Sequence, residues 1–374
     1  MKVDVAIVGA GPAGSTLAAL LARRGLDVAL IDRDEFPRDK LCGEFLSYDA
    51  LPVLGRLGVT LDVPAITRCR VVSRRRVYEF DFPSPARGTS RVLLDELLFR
   101  TAIASGARSL AGWTAVSLDP LVVERDGGQQ MLDAKVIVGA WGRWGRFDTQ
   151  LGRRFVRDRS HRNFGFKRHY RGASEGDVIE LYSFRGGYLG VSPIENGLTN
   201  ICGLVHASRL SGHKGGWDAL LETIRAEERQ LDAMYARYTA AQDGYLSSEP
   251  VIFRARSPVE QGVVMIGDAS GIVDPLTGNG MAMAIQSALV AAPHVTHLLE
   301  SNDRAAAENA YRSDHREFFG SRIRWSRRVA ILLSRPALLD AAISAVRAPR
   351  AGRFLLTHTR ASVEAVERLA SEWF

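Results

Sequence analysis

Cysteine, long apolar runs and metal-ligand patterns are all scarce in this sequence. The 374 residues include 3 cysteines, Cys42, Cys69 and Cys202, and none of them belongs to a C-x-x-C pair. This excludes a disulfide framework and a structural zinc site built on cysteine. No stretch reaches the roughly eighteen uninterrupted apolar residues of a membrane span, and the first residues lack the pattern of a signal peptide. We expect a cytoplasmic protein with reduced thiols.

The histidines and serines show no spacing typical of hydrolytic catalysis. The sequence has 8 histidines without an H-E-x-x-H pattern, and no Ser/His/Asp triad is recognisable. We therefore expect no catalytic metal. His161, His169 and His206 fall in the middle of the chain, where each is expected to be an ordinary surface histidine or a hydrogen-bonded core histidine.

Positive charge is in excess and is concentrated at one end. The formal net charge is +7, and from residue 304 onward thirteen arginines face seven acidic residues. Basic residues interleaved with aromatic ones are missing, so no nucleic-acid partner is expected. Two interpretations of this tail stay open: a solvated helix face, or amphipathic basic helices that make peripheral contact with a membrane surface.

The sequence begins with a βαβ pattern. Residues 3–8, VDVAIV, form an almost continuous apolar run, typical of a buried parallel strand. A helix is predicted from about Ala13 to Arg24, ended by Gly25. The following DVALID predicts a second buried strand that ends on Asp32. Together these segments predict one βαβ unit of a parallel sheet.

A glycine-rich turn joins the first strand to the first helix. Gly9 allows the tight turn, Gly11 lets the backbone approach a pyrophosphate, and Gly14 lets helix and strand pack closely. The free N–H groups of the helix start would face the phosphates. Asp32 is spaced to accept hydrogen bonds from a ribose and would repel a 2′-phosphate. The turn therefore predicts a dinucleotide site for FAD or NAD.

A second glycine-rich turn follows an apolar strand near the other end, in MIGDASGIVDPLTGNGMAMAIQSA. Asp268 stands at the strand end, and Pro275, Gly278 and Gly280 lead into a helix rich in small residues. A carboxylate there suits sugar-chain hydroxyls, and the helix start suits a phosphate or a flavin ring edge. Only an extended cofactor needs two such sites, so the sequence favours FAD over NAD.

Three motifs carry a resemblance to a known family. GAGPAG, R-x-x-L-D-x-x-L at 91–98 and GDASGIVDPLTGNG resemble the flavoprotein superfamily that includes p-hydroxybenzoate hydroxylase. Within it, the last motif and RDKLCGE are similar to the geranylgeranyl reductase family. The resemblance implies FAD as the cofactor, with these binding residues: Gly9, Gly11, Ala13, Gly14, Asp32, Arg33, Cys42, Gly43, Arg91, Asp268, Pro275, Gly278, Asn279, Gly280 and Met281.

The same resemblance places Cys42 and Gly43 near the flavin ring, facing the substrate. A thiol there would donate a proton to a substrate carbon or gate ring movement, which makes Cys42 the candidate catalytic residue. The alternative is that Cys42 only packs beneath the flavin and Gly43 is the residue that the turn requires. Glu44, Tyr188 and Pro193 are candidates for the substrate pocket, although the last two also suit a sheet residue and a strand breaker.

The sequence departs from two other branches of the superfamily. Where aromatic hydroxylases carry an ADG-x-x-S-x-x-R segment, this chain has Trp141, Gly145 and Asp148 at the Asp, Ser and Arg positions. Their GDAAH is replaced, with Ser270 and Gly271 at its last two positions. The W-x-W-x-I-P motif of tryptophan-type halogenases is missing. The first two differences argue against an NADPH-driven aromatic hydroxylase. The missing motif argues against a tryptophan-type halogenase.

These observations predict an α/β fold: a discontinuous Rossmann-like FAD-binding domain, an antiparallel-sheet substrate domain and a C-terminal helical region. The FAD-binding domain is predicted to comprise residues 1–68, 90–149 and 250–300. The substrate domain is predicted at 69–89 and 150–249, and the C-terminal helical region at 301–374.

We expect an FAD-dependent oxidoreductase that reduces or oxidises a C=C bond of a hydrophobic small molecule. One alternative is an FAD-dependent monooxygenase acting on a polyketide, phenolic or isoprenoid product. Another is a non-catalytic flavin- or ligand-binding protein. The sequence leaves open the oligomeric state and the electron donor, whether NADH, NADPH or a reduced protein.

Overall fold

The computed structural model describes residues 1–143, 145–158, 163–210, 216–248, 251, 256–271, 278–345 and 350–374. Its strands are β1 (Lys2–Val8), β2 (Val28–Asp32), β3 (Phe45–Leu46), β4 (Ala65–Val72), β5 (Val77–Gly88), β6 (Arg108–Ala111), β7 (Thr114–Leu118), β8 (Leu121–Arg125), β9 (Gly128–Gly139), β10 (Asn163–Gly172), β11 (Val178–Phe184), β12 (Gly187–Pro193), β13 (Thr199–His206), β14 (Tyr238–Ala240), β15 (Leu246–Ser247), β16 (Val259–Glu260) and β17 (Val263–Met265). Its helices are α1 (Pro12–Arg23), α2 (Leu51–Leu57), α3 (Arg91–Ala104), α4 (Arg146–Gln150), α5 (Ala207–Leu210), α6 (Gly216–Glu227), α7 (Arg229–Tyr235), α8 (Gly280–Glu300), α9 (Arg304–Leu333), α10 (Pro336–Ala345), α11 (Arg350–Thr359) and α12 (Val363–Ser371).

The first sheet is built around β1. Its main path runs β16-β17-β9-β1-β2-β6, and β1 pairs in parallel with both β2 and β9. Most of β1 and β2 is buried, as their apolar runs require. Helix α1 begins at Pro12, whose fixed φ suits the first helical turn, and it covers the sheet with a row of buried alanines and leucines. The predicted βαβ unit is confirmed.

The carboxyl ends of the central strands lie along one edge of this sheet. Val8 of β1 pairs with Gly139 of β9, which in turn pairs with Met265 of β17, while Asp32 ends the neighbouring β2. Ligands of open parallel sheets bind outside such an edge. The antiparallel excursion β7-β8-β9 belongs to the same sheet and was not predicted from the sequence.

The second sheet has the order β14-β10-β13-β12-β11-β4-β5-β3, with β15 beside β10. The prediction of an antiparallel sheet is wrong in one respect, because β11 pairs with β4 in parallel. Helices α5, α6 and α7 were also missed. The apolar side chains of Leu220, Leu221 and Ile224 pack with Leu231 and Met234 against this sheet. The sequence of α6 and α7 is amphipathic. These helices were missed because their polar residues are similar to those of the neighbouring strands.

The C-terminal helices join the two sheets. Helix α8 packs against α1 and α9, and α12 packs against α2 and α8. By length and composition α8 could cross a membrane, but 67% of its most apolar window is buried inside the protein. Val329, Leu333 and Leu339 of α9 and α10 pack on Ile66 and Cys69 of the second sheet. The predicted domain bounds stay a prediction.

Candidate active site

The first glycine turn is tightly constrained at two of its three glycines. Gly9 has φ +110, and a Cβ there would overlap the carbonyl oxygen of Ala140. A Cβ on Gly14 would overlap the carbonyl oxygen of Gly9. Gly11 differs, since a Cβ there would meet only Arg91 Nη2, at 3.6 Å. The turn therefore leaves room at Gly11, beside the N-terminus of α1, where a phosphate would bind.

The second glycine turn lies against the first. A Cβ on Gly267 would come within 3.0 Å of Ala13 Cβ, at the start of α1. The Gly267 N–H donates to Ser287 Oγ of α8 at 2.8 Å, which ties this turn to the helix that follows it. The two turns are some 250 residues apart in the sequence. The two turns therefore meet at the carboxyl edge of the first sheet, where a cofactor groove is expected.

Asp32 is partly buried at the end of β2, and its oxygens already have partners within the chain. Oδ2 accepts from Ala10 N at 2.8 Å and from Arg38 Nη2 at 2.9 Å, and Oδ1 accepts from Asp34 N at 3.1 Å. An ionised carboxylate has about four acceptor positions, so one on Oδ1 remains for a ribose hydroxyl. The side chain of Arg33 is 71% exposed and lies 3.8 Å from Asp34.

Arg91 lies between the two turns. Its Nε and Nη2 donate to the fully buried Asp95 at 2.6 and 2.7 Å, and Asp95 also accepts from Arg38 at 2.8 Å. Although burial opposes it, the nearby Asp95, Cys42 and Asp268 raise the pKa of Arg91. The guanidinium is therefore a fixed positive charge that faces Gly11. Arg38 was missed in the sequence, where it follows Pro37 in a segment rich in charged residues.

Asp268 stands at the end of β17, as predicted, and is paired with Arg143. Arg143 Nε lies 3.3 Å from Asp268 Oδ2, and the Asp268 carbonyl accepts from Arg256 Nη1 at 3.3 Å. Arg143 belongs to the segment in which this chain departs from the aromatic hydroxylases. It was not predicted as a site residue.

The start of α8 meets the second sheet at Phe45. A Cβ on Gly278 would lie 2.7 Å from Phe45 Cδ1. Asn279 Nδ2 donates to the carbonyl of Thr359 at 2.6 Å, which ties this loop to α11. Gly280 and Met281 open the helix without a side-chain cap. Pro275, also predicted to bind the cofactor, lies outside the described residues.

Cys42 lies against strand β13 of the second sheet. Its carbonyl accepts from Asn200 Nδ2 at 2.9 Å, and its Sγ lies 3.4 Å from Glu44 N. Burial, and then the neighbouring Cys42, raise the pKa of the Cys202 thiol to about 12. A Cβ on Gly43 would meet no atom within 4 Å. The left-handed backbone of this segment is at Glu44, with φ 54, so the turn does not require glycine at 43 for its φ.

Glu44 is the centre of a buried charged cluster, which we call the Glu44 cluster: Glu44, Lys167, His169 and Asp39. Glu44 Oε1 accepts from Lys167 Nζ at 2.6 Å, and Oε2 lies 2.7 Å from His169 Nε2. Lys167 Nζ also donates to Asp39 at 2.5 Å. Burial opposes ionisation, but Glu44 and Asp39 raise the pKa of Lys167. His169 was expected to be an ordinary histidine, and it is hydrogen-bonded inside this cluster.

Tyr188 and Pro193 lie on β12, inside the second sheet. Tyr188 is 6% exposed and packs in an apolar cluster with Cys69 and Leu204. The carbonyl of Pro193 is so close to Gly88 that a Cβ there would overlap it. Both positions suit sheet residues, as the sequence also allowed, and their role in a substrate pocket stays a prediction.

The residues around the groove fit an FAD molecule. Gly11 and Arg91 provide open backbone and a fixed positive charge for the two phosphates. Nearer the second sheet, the buried Asn200 Oδ1 and Asn279 Oδ1 have no hydrogen-bond partner among the described residues. Unpaired buried acceptors are costly, and the edge of a flavin ring carries an N–H donor that such an oxygen could accept from.

Comparison with known proteins gives the same cofactor. An FAD binding domain model matches residues 2–81, and a squalene epoxidase model matches residues 237–345. The menaquinone reductase of Mycobacterium tuberculosis is 29% identical, over 90% of this chain and 86% of its own. A tryptophan 2-halogenase of Chondromyces crocatus is 26% identical, over 88% and 67%. Digeranylgeranylglycerophospholipid reductase 2 of Methanosphaera stadtmanae is 24% identical, over 81% and 80%.

Solved structures share the fold over the whole chain. A geranylgeranyl bacteriochlorophyll reductase-like protein from Thermoplasma acidophilum matches with a TM-score of 0.77 and 20% identity, covering 98% of this chain and 99% of that one. A flavin-dependent brominase matches with a TM-score of 0.75 and 19% identity, covering 100% and 99%. The chain is therefore an FAD-dependent oxidoreductase that is similar to geranylgeranyl reductases and menaquinone reductase, with the fold that FAD-dependent halogenases and monooxygenases share.

Proposed function

We propose that the chain transfers hydride between FAD and a C=C bond of a hydrophobic small molecule. The observation that carries this proposal is the buried Glu44 cluster beside Cys42. Reduction of a C=C bond adds one hydride and one proton. FAD that an external donor has reduced would supply the hydride, and the proton has to come from a protein group or water. Cys42 and the Glu44 cluster hold exchangeable protons where the motif resemblance puts the flavin ring.

We also propose roles for the groove residues. Gly11 and Arg91 hold the pyrophosphate, Asp32 accepts from the ribose, and Asp268 binds the sugar chain. Asp95 positions Arg91 through two short hydrogen bonds. The other predicted contacts complete the groove: Gly9, Ala13, Gly14, Arg33, Cys42, Gly43, Gly278, Asn279, Gly280 and Met281.

Apolar side chains support a hydrophobic substrate. Phe45, Phe80 and Phe82 contact one another, with ring centroids 5.4 Å apart for Phe45–Phe82 and 5.9 Å for Phe80–Phe82. Phe45 touches the loop at Gly278, so these rings lead away from the proposed flavin position. Relatives named as menaquinone reductase and digeranylgeranylglycerophospholipid reductase are consistent with such a substrate.

Anaerobic flavin reoxidation tests the reaction. The FAD-loaded protein is reduced with dithionite without oxygen, and an isoprenoid quinone or a geranylgeranyl lipid is added. We expect the oxidised flavin spectrum to return with one or both classes, with a product that carries two more hydrogens in its isoprenoid chain. Reoxidation by oxygen alone would contradict the proposal, and a flavin that no donor reduces would indicate a non-catalytic binding protein. NADH and NADPH in place of dithionite identify the electron donor.

A monooxygenase is the second candidate, and one observation favours it. The squalene epoxidase model matches residues 237–345, which include the second glycine turn and much of α9. A monooxygenase requires oxygen and places one of its atoms in the product. Turnover under ¹⁸O₂ with mass spectrometry of the product separates the two candidates.

We propose peripheral membrane contact for a cytoplasmic protein. Ile331, Leu338 and Phe354 on the C-terminal helices are 47%, 49% and 51% exposed, and the exposed Arg328 and Arg335 lie beside them in the sequence. An apolar face with flanking arginines suits an anionic membrane surface. Co-sedimentation with phosphatidylglycerol vesicles at low salt, and its absence with phosphatidylcholine vesicles, is the expected result. Ile331→Ser should weaken it.

A further inference from the structure

Arg360 is a buried cation without a full set of partners. It follows α11 and is 8% exposed. Its Nε and Nη1 have no hydrogen-bond partner among the described residues. Its guanidinium carbon lies 5.8 Å from the ring centroid of Phe45. Leaving the donors of a buried charged group unpaired is costly, so this position calls for an acceptor.

The charges around Arg360 leave a positive surplus. Arg322, 5% exposed, donates only to neutral groups: the carbonyl of Phe318 and Gln286 Oε1. Asp49 is fully buried and accepts from Gln286 Nε2 at 3.0 Å and from Ala361 N at 3.1 Å. Within the described part of the chain, no carboxylate lies within 4.0 Å of either guanidinium. Two buried cations thus face one carboxylate, and an uncompensated buried charge is costly.

This surplus lies next to the proposed flavin position and apart from the phosphate end. Thr359, the residue before Arg360, accepts from Asn279 of the loop that begins α8. Phe45 contacts Gly278 of the same loop and also faces Arg360. The pyrophosphate position at Gly11 has its own cation, Arg91. The surplus charge is therefore available to a second ligand, and the aromatic side chains beside it suit an apolar one.

We propose that Arg360 binds the anionic oxygen head of an amphipathic substrate whose apolar part lies along Phe45 and Phe82. The inference rests on the proposed function, because it assigns the substrate class of the same site. A carboxylate or a phosphate oxygen would accept a charge-assisted hydrogen bond from the free Nε or Nη1 of Arg360. A neutral alcohol with the same hydrocarbon chain would leave the positive surplus uncompensated.

Binding of three matched probes to the FAD-loaded protein tests this. Farnesoic acid, farnesyl phosphate and farnesol share one chain and differ in the head, and their binding is followed by the change in flavin absorbance. We expect at least one of the two anions to bind about tenfold or more tightly than farnesol. The better anion identifies the head as carboxylate or phosphate.

Variants locate the effect at Arg360. Arg360→Gln should remove the preference for the anion, while Arg360→Lys should keep part of it. Arg353→Gln, an exposed position on α11, is the matched control and should behave like wild type. If Arg360→Gln does not fold, the Arg360→Lys variant and the wild-type preference still decide the matter.

Three outcomes would overturn the inference. They are a wild-type protein without preference for either anion, an Arg360→Gln variant that retains the preference, and a variant that changes only the flavin midpoint potential. The last would assign Arg360 to the flavin. Anion-selective binding without anaerobic flavin reoxidation would support the anion site at Arg360 and contradict the proposed hydride transfer. Failure of the anion site and failure of the proposed function are therefore distinguishable.

Discussion

The edge of the first sheet and the part of the site beside the second sheet are built in different ways. The edge depends on close backbone contacts, such as Gly14 against Gly9 and Gly267 against Ala13. The part beside the second sheet depends on the buried charges of Glu44, Lys167 and Arg360. Adding a side-chain atom to one of the close backbone contacts should destabilise the edge. Removing the partner of a buried charge should destabilise the other region. The two regions should therefore fail under different substitutions.

The largest effect is expected in the Glu44 cluster. Glu44→Gln keeps the shape but removes the negative charge that faces Lys167 and His169. Breaking a buried ion pair costs about 3–5 kcal/mol, so the free energy of unfolding in urea should fall by that amount. Glu367→Gln, at an exposed position, is the control. A loss below about 1 kcal/mol would show that the cluster is not held by charge.

His315 provides the next largest effect, on the first-sheet side. It donates to or accepts from Ser270 Oγ at 2.9 Å, and burial, then Arg322, lower its pKa from 6.5 to about 4. The folded state therefore resists protonation. Stability from this group is complete above pH 6.5 and falls by up to about 1.4 kcal/mol per pH unit as pH drops toward 4. The full effect is about 3 kcal/mol.

Urea unfolding of wild type and His315→Gln between pH 7 and 4 measures this contribution. The difference between the two proteins should change with pH over that window, because the carboxylates titrate alike in both. A constant difference would contradict the assignment.

Gly14→Ala tests the backbone contact directly. The added methyl would overlap the Gly9 carbonyl, so helix α1 has to shift. We expect about 1–3 kcal/mol of destabilisation and a reduced FAD content, measured from the flavin absorbance per protein. Gly55→Ala in α2, where a Cβ meets no atom within 4 Å, is the control and should keep full FAD content.

The smallest effect is expected at a surface ion pair of the second-sheet region. Arg225 donates to Asp232 at 2.8 Å, but the two side chains are 38% and 60% exposed. Asp232→Asn should therefore cost about 0–1 kcal/mol in urea unfolding. A larger loss would mean that surface charge, and not only buried charge, stabilises this region.

The sequence predicts the edge of the first sheet well because its constraints are local. The spacing of Gly9, Gly11 and Gly14 identifies both the turn and the helix that follows. Lys167 and Glu44, by contrast, are 123 positions apart, and no pattern in either segment predicts its contact with the other. Lys167 and His169 are two positions apart on β10, which indicates that both face the same side of the sheet. Their partner on that side, Glu44, can be identified only from the fold.

The parallel pairing of β4 with β11 was missed for the same reason. Strand β4 returns as a hairpin with β5, which fits an antiparallel sheet, and its second neighbour comes about 110 residues later. Pairing between distant strands depends on the packing of the whole sheet. Arg360 likewise carries no motif, and only its burial and free donors distinguish it from the other arginines of the tail.

The hydrogen bond from Asn279 to Thr359 couples the loop that begins α8 to helix α11. The two residues are 80 positions apart in the sequence, so the loop reaches its final conformation only when α11 has packed against it. We therefore expect the yellow cofactor to take its final position only after α11 has docked.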